Sequence, residues 1–176
     1  MGNTFRRLIT KSGLKHATRG LGSLLRPNQL GNGTKGGCEA AAHATRNYIT
    51  NNPSNKVFLK LDLSNAFNCI RRDTVLQKVE EKIPNLYNLF WQAYSKPSHL
   101  FYRGKTLSSE TGLQQGDPGG PALFSLGVDH IVKSLNSEIN LWYLDDSNLA
   151  DSPQVVLEDL CLLKIVKSQF MDGGWS

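Results

Sequence analysis

Leu141-Trp142-Tyr143-Leu144-Asp145-Asp146 is the stretch on which the reading turns, an apolar run of strand type that ends in two adjacent acids. Neighbouring carboxylates in a tight turn repel one another, and a bound cation removes that cost. Aspartate is also a common turn residue, so the pair alone is compatible with a plain loop tip. Upstream, Val57, Leu59, Leu61 and Leu63 alternate with Phe58, Lys60 and Asp62, the period-two pattern of a half-buried strand. Asp62 therefore points away from the aliphatic face.

Between and around these strands the pattern changes period. Gly31–Gly37 reads as a glycine-rich loop, and Glu39–Ile49, rich in alanine, as a helix stopped by Asn51, Asn52 and Pro53. Asp73 is placed to cap a helix carrying Val75, Leu76, Val79 and Ile83, which Pro84 kinks or ends before Leu86, Leu89, Phe90 and Tyr94 continue. His99–Arg103 and Thr106–Ser109 flank Gly104-Lys105, a loop with glycine first, as a type II′ hairpin turn wants. Pro121–Ser137 and Pro153–Phe170 read as long helices, and Asp172, Gly173 and Gly174 as a closing turn. Met1–Leu30 mixes basic residues with short apolar pairs and reads as irregular or partly helical. Strands interleaved with helices and a hairpin predict an α+β fold with an antiparallel sheet and helices on one face.

The chain has 176 residues, 39% apolar and 20% charged, which suits one globular domain and excludes a collagen-like or disordered chain. Residues 1–50 hold eight Lys and Arg against one acid, whereas residues 51–176 hold twelve against fourteen, so a +7 front joins a −2 body. A basic front suits phosphates, and an acidic body suits carboxylate chemistry. Cys38, Cys69 and Cys161 are odd in number and far apart, which predicts free thiols in a reducing, intracellular compartment. No stretch reads as a signal peptide or a membrane span. Gly31-Asn32-Gly33-Thr34-Lys35-Gly36 matches the dinucleotide spacing G-x-G-x-x-G but follows no strand, so the match reads as accidental.

Three stretches together resemble a known family. Asp62-Leu63-Ser64-Asn65-Ala66-Phe67-Asn68, then Gly112 to Pro121 with Gln115-Gly116-Asp117-Pro118 at its centre, then Trp142-Tyr143-Leu144-Asp145-Asp146 resemble the three central palm motifs of reverse transcriptases in order and separation. The middle motif is closest to the non-LTR retrotransposon (LINE-like) type. Gly2–Leu8 is similar to the family's fingers strand, and Gln29–Ile49 to its next fingers segment. The resemblance implies a polymerase palm, a ferredoxin-like antiparallel sheet with helices on one face, over residues 57–176. It also implies partial, basic fingers over residues 1–56 and no thumb.

The same resemblance implies site residues and partners. Asp62, Asp145 and Asp146 would be catalytic and would bind two Mg2+ ions, with Mn2+ as a substitute, since magnesium prefers oxygen ligands. Phe67 would lie under the sugar of the incoming nucleotide and exclude a 2′-hydroxyl. Gln115 and Gly116 would border the nascent base pair, Arg7 and Arg6 would meet the triphosphate, and Tyr143 would support the primer end. The implied substrates are an RNA template, a DNA primer and dNTP, with no membrane partner and the nucleus as the place of action. Two alternatives stand beside this one: a catalytically silent retroelement remnant that only binds nucleic acid, and an RNA-dependent RNA polymerase palm.

Overall fold

The computed structural model describes residues 4–51 and 55–170. Along the chain run α1 (Thr4–Leu25), α2 (Gly37–Asn51), β1 (Val57–Asp62), the single turn α3 (Ala66–Cys69), α4 (Arg72–Lys82) and α5 (Pro84–Tyr94). The ribbon β2 (Ser98–Tyr102) and β3 (Lys105–Ser109) follows, then α6 (Gly120–Ser134), the hairpin β4 (Ile139–Tyr143) and β5 (Asp146–Asp151), and α7 (Pro153–Phe170). The fold is α+β with antiparallel sheets. One sheet has the order β1-β5-β4, and β2-β3 forms a separate two-stranded sheet.

Alternation along β1 does what its sequence predicts. Leu59 pairs with Leu149 and Leu61 with Ser147, while Asn140 and Trp142 of β4 lie across from the same two β5 residues. This face is buried, with Trp142 and Leu149 joining Leu123, Phe124 and Leu126 of α6 in one core cluster. The Asn140 side-chain amide also donates to the Val132 carbonyl of α6 at 2.7 Å. α7 packs against β5 and β1. Lys60, Asp62, Tyr143 and Asp146 lie on the other face and are exposed. The outer edge of β4 does not stand free: Leu30 N–H donates to the Trp142 carbonyl at 2.7 Å, and Trp142 N–H to the Asn28 carbonyl at 2.8 Å. The basic front thus touches the sheet directly.

Several local expectations need correction. Residues 4–25 form a continuous helix, not an irregular segment, and Thr4–Leu8 is helical where a fingers strand was expected. The reason is visible in burial: Thr10, Leu14, Leu21 and Leu25 are all buried, and their spacings of four, seven and four draw one stripe along a helix. Gly2 and Asn3 lie outside the described residues, as do Asp172, Gly173 and Gly174.

The β2-β3 turn is displaced by one residue. Tyr102 pairs with Lys105, so the loop is Arg103-Gly104, with φ of 47° and 75°. Two left-handed central residues make a type I′ turn, whose twist matches the strands as type II′ does. At α4 the N-cap is Arg71, and Asp73 sits inside the first turn, where it accepts from Thr74 N–H at 2.7 Å. Of the two outcomes expected at Pro84 the structure takes the second: α4 ends at Lys82, and Pro84 opens α5, where its missing N–H costs nothing. The second long helix spans Gly120–Ser134, three residues short of the expected end.

Candidate active site

Asp62 ends β1 and Asp146 begins β5, and the register sets the two directly opposite. Tyr143 pairs with Asp146 from the other side, leaving Leu144 and Asp145 as the hairpin loop. Leu144 has a φ of 59°, a left-handed backbone that a leucine rarely adopts. Leu63 N–H donates to the Asp145 carbonyl at 3.3 Å, stitching the end of β1 to the loop. Asp62, distant in sequence, thus comes beside the Asp145-Asp146 pair at one end of the open sheet face, with Tyr143 alongside.

The electrostatics of this end are unbalanced. Burial first, then the neighbouring Asp146 and Asp62 charges, push the Asp145 carboxyl above the usual range, against one backbone hydrogen bond that favours the anion. The recorded ion pair here is Lys60 Nζ to Asp146 Oδ1 at 4.0 Å, with both side chains mostly in solvent, so it contributes little. Among the described residues, no group of three or more His, Cys, Asp or Glu is closed around a point that could hold a metal ion. Hard carboxylate oxygens with uncompensated charge nonetheless fit a magnesium-type cation.

A cleft of about 960 Å3 lies between α1 and the loop that leads into α6. Arg7, Lys11 and Lys15, one helical turn apart along α1, line one side, and Phe67, Gln115 and Gly116 are also in its wall. None of the three acids nor Tyr143 lines it. The Phe67 ring is half-buried and stacks on Phe124, with centroids 4.4 Å apart and planes 14° from parallel, so a core residue sets its orientation. Gly116 has a φ of 79°, a conformation that suits glycine, and both it and Gln115 are exposed.

Arg6 is not turned to this cleft. Its guanidinium donates to Gln114 Oε1 at 2.6 Å and to Asp117 Oδ2 at 3.2 Å. Asp117 is the hub of the loop: it is buried, accepts from the Tyr94 hydroxyl at 2.7 Å, and accepts from Gly119 N–H at 2.9 Å. Burial first and the Asp117 contact second push the Tyr94 phenol strongly up, so it stays a donor. Arg72, also buried, donates to the carbonyls of Gly112 and Ser109, each at 2.8 Å, and holds the other end of the same loop. Neither Arg72 nor Tyr94 carries a sequence signal for this work, because their partners are twenty or more residues away. Asp117 stands inside the quoted Gln115-Gly116-Asp117-Pro118 motif, and its role as a brace becomes visible only in three dimensions.

An α+β fold with an antiparallel sheet that brings Asp62 opposite Asp146 is the architecture of a partial polymerase palm. The chain belongs to the reverse transcriptase (RNA-dependent DNA polymerase) family, whose model matches residues 5–170. A comparison with the curated proteins gave no match. Membership implies a nucleic-acid template and primer, nucleotide substrates and, as is general in the family, divalent metal. All three cysteines are free, and no helix among the described residues is long and apolar enough to cross a membrane.

Proposed function

We propose that this chain is the palm and partial fingers of a non-LTR retrotransposon reverse transcriptase, residues 57–176 and 1–56 respectively. In this reading it extends a DNA primer on an RNA template with dNTP in the nucleus. The observation that carries the reading is the β1-β5 register, which sets Asp62 opposite Asp146 with Asp145 in the adjoining loop. The reaction forms a bond between the primer 3′-oxygen and the α-phosphorus, breaks the bond to pyrophosphate and releases the hydroxyl proton. Asp62 and Asp145, with Asp146 beside them, would hold two Mg2+ ions, or Mn2+, and the chemistry such ions would supply is a lowered pKa of the hydroxyl and neutralisation of the charge developing on pyrophosphate.

The chain's own residues do the rest. Arg7, with Lys11 and Lys15 one and two turns on, offers fixed cations to phosphate oxygens. Phe67, held by Phe124, is the wall that would clash with a ribose 2′-hydroxyl. Gly116, without a side chain, lets the backbone approach a base pair, Gln115 borders it, and Tyr143 flanks the primer end.

A second reading, nucleic-acid binding without turnover, is favoured by one observation: the basic front, where residues 1–50 hold eight Lys and Arg against one acid. Primer extension by the purified chain separates the two. The first reading expects dNTP incorporation that Asp145→Asn abolishes, with ribonucleotides refused by the parent and accepted by a folded Phe67→Val variant. Binding that falls steeply with salt, without any extension, would support the second reading instead. If Phe67→Val stays as strict as the parent, the sugar-wall role is wrong.

A further inference from the structure

The loop that carries Asp145 is held by a side chain from the far end of the chain. Gln29 is fully buried, with 0% exposure, and each polar atom of its amide is engaged. Its Oε1 accepts from Leu144 N–H at 2.8 Å and from Gly31 N–H at 3.1 Å, while its Nε2 donates to the Leu144 carbonyl at 3.2 Å. Only the amide oxygen can accept from two backbone N–H groups, so the network fixes which way the amide points. Gln29 therefore grips both polar groups of Leu144, the left-handed residue immediately before Asp145. Gly31 makes the approach possible, because a Cβ there would lie 2.8 Å from Leu144 N.

A buried amide is costly unless fully bonded, and an apolar side chain could cover the sheet edge without that requirement. Here the amide's bonds to the hairpin all go to one residue, in a left-handed conformation that non-glycine residues rarely adopt. We propose that Gln29 is a positioning residue: by holding Leu144 left-handed it presents Asp145 beside Asp62 and Asp146. The proposal rests on the reading of those acids as the cation site. It also gives the glycine-rich segment a role that its accidental G-x-G-x-x-G spacing hides, since Gly31 serves the loop of another hairpin.

The test is Mn2+ binding by the purified chain, followed by electron paramagnetic resonance with the metal alone, so that no turnover is needed. Gln29→Met keeps length and apolar volume but cannot bond Leu144, and it should weaken Mn2+ binding about tenfold or more while near-UV circular dichroism is unchanged. Gly31→Ala, which pushes on Leu144 N, should shift binding in the same direction. If the parent binds no Mn2+, or Asp145→Asn binds as the parent does, the cation-site reading fails and the proposal with it. If Asp145→Asn loses binding but folded Gln29→Met and Gly31→Ala bind as the parent, the positioning role alone is overturned. Should both variants unfold, amide hydrogen exchange on the unsubstituted chain decides: a protected Leu144 N–H supports the grip, and exchange at the rate of an open loop refutes it.

Discussion

The hairpin β4-β5 and the ribbon β2-β3 share a backbone plan and differ in everything around it. Each closes on a two-residue loop containing a left-handed non-glycine residue, Leu144 in one and Arg103 in the other. In β4-β5 the strands carry Trp142 and Leu149 into the core, β1 pairs with one edge, and Asn28–Leu30 covers the other. In β2-β3 the same kind of ladder leaves Leu100, Phe101, Tyr102 and Leu107 in solvent, with Phe101 82% exposed. Anchored at its base through Ser98 and Ser109, the ribbon relies on turn chemistry at its tip, with Gly104 at the position of larger positive φ and the Arg103 guanidinium over the Tyr102 ring at 5.2 Å. The site hairpin can place an unsuitable residue, leucine, in its loop because neighbours hold it there. Strain is tolerated where tertiary contacts over-determine the backbone, and such places are often functional.

Core substitution should break the comparison most sharply. Trp142→Ala should cost about 3–5 kcal/mol, whereas Leu107→Ala on the ribbon should stay within about 0.5 kcal/mol, both read from urea unfolding. Equal costs would mean that the ribbon is buried in solution.

The loop hub comes next. Asp117→Ala strands Arg6, the Tyr94 hydroxyl and Gly119 N–H together, and should lower stability by about 2–4 kcal/mol in the same assay. A change under 0.5 kcal/mol would show that the loop holds itself without this carboxylate.

Turn chemistry gives a smaller effect. Gly104→Ala, at a φ of 75°, should cost roughly 1 kcal/mol, while Arg103→Asn, a residue that type I′ turns favour, should be neutral or slightly stabilising. Thermal melts would reveal it.

The smallest effect is electrostatic and has a definite sign. The folded-state pKa of Asp145 is raised above 3.8, so the folded chain holds that proton more tightly than the unfolded chain. Stability from this group is greatest below pH 3.8, falls as pH rises through the raised value, and is absent above it. Asp145→Asn should therefore melt slightly higher than the parent at pH 7 without metal, and the difference should vanish in acid. A lower melting temperature at pH 7 would show that Asp145 is compensated by a partner.

Legibility in the sequence follows a physical line. The strand β1 was readable because alternation reports a half-buried surface directly, and α7, Pro153–Phe170, because a proline start and an uninterrupted apolar pattern mark its limits. The α1 stripe of Thr10, Leu14, Leu21 and Leu25 was masked by a threonine in a buried position and by glycines that read as breakers. The turn at Arg103-Gly104 was misplaced by one residue because glycine suits both primed turn types and only the strand register tells them apart. Within the site, the acids and Phe67 were legible as motifs. The inward commitment of Arg6 to Asp117 was not, because adjacent arginines point to different sides of a helix and the sequence does not say which side meets a carboxylate.

By itself the sequence determined the α+β class, the basic front, the order of the elements after residue 56 apart from the single turn α3, and the family's three acid-bearing motifs. Each is written in local spacing, composition or a short contiguous string. Tertiary structure alone decided that Asp62 stands across from Asp146, that Arg6 turns from the cleft while Arg7 lines it, that Arg72 and Asp117 anchor opposite ends of one loop, and that Gln29 grips Leu144. Local periodicity reports which face of an element avoids water, but the partner of a polar side chain is set by which distant segments the collapsed core brings within hydrogen-bond reach.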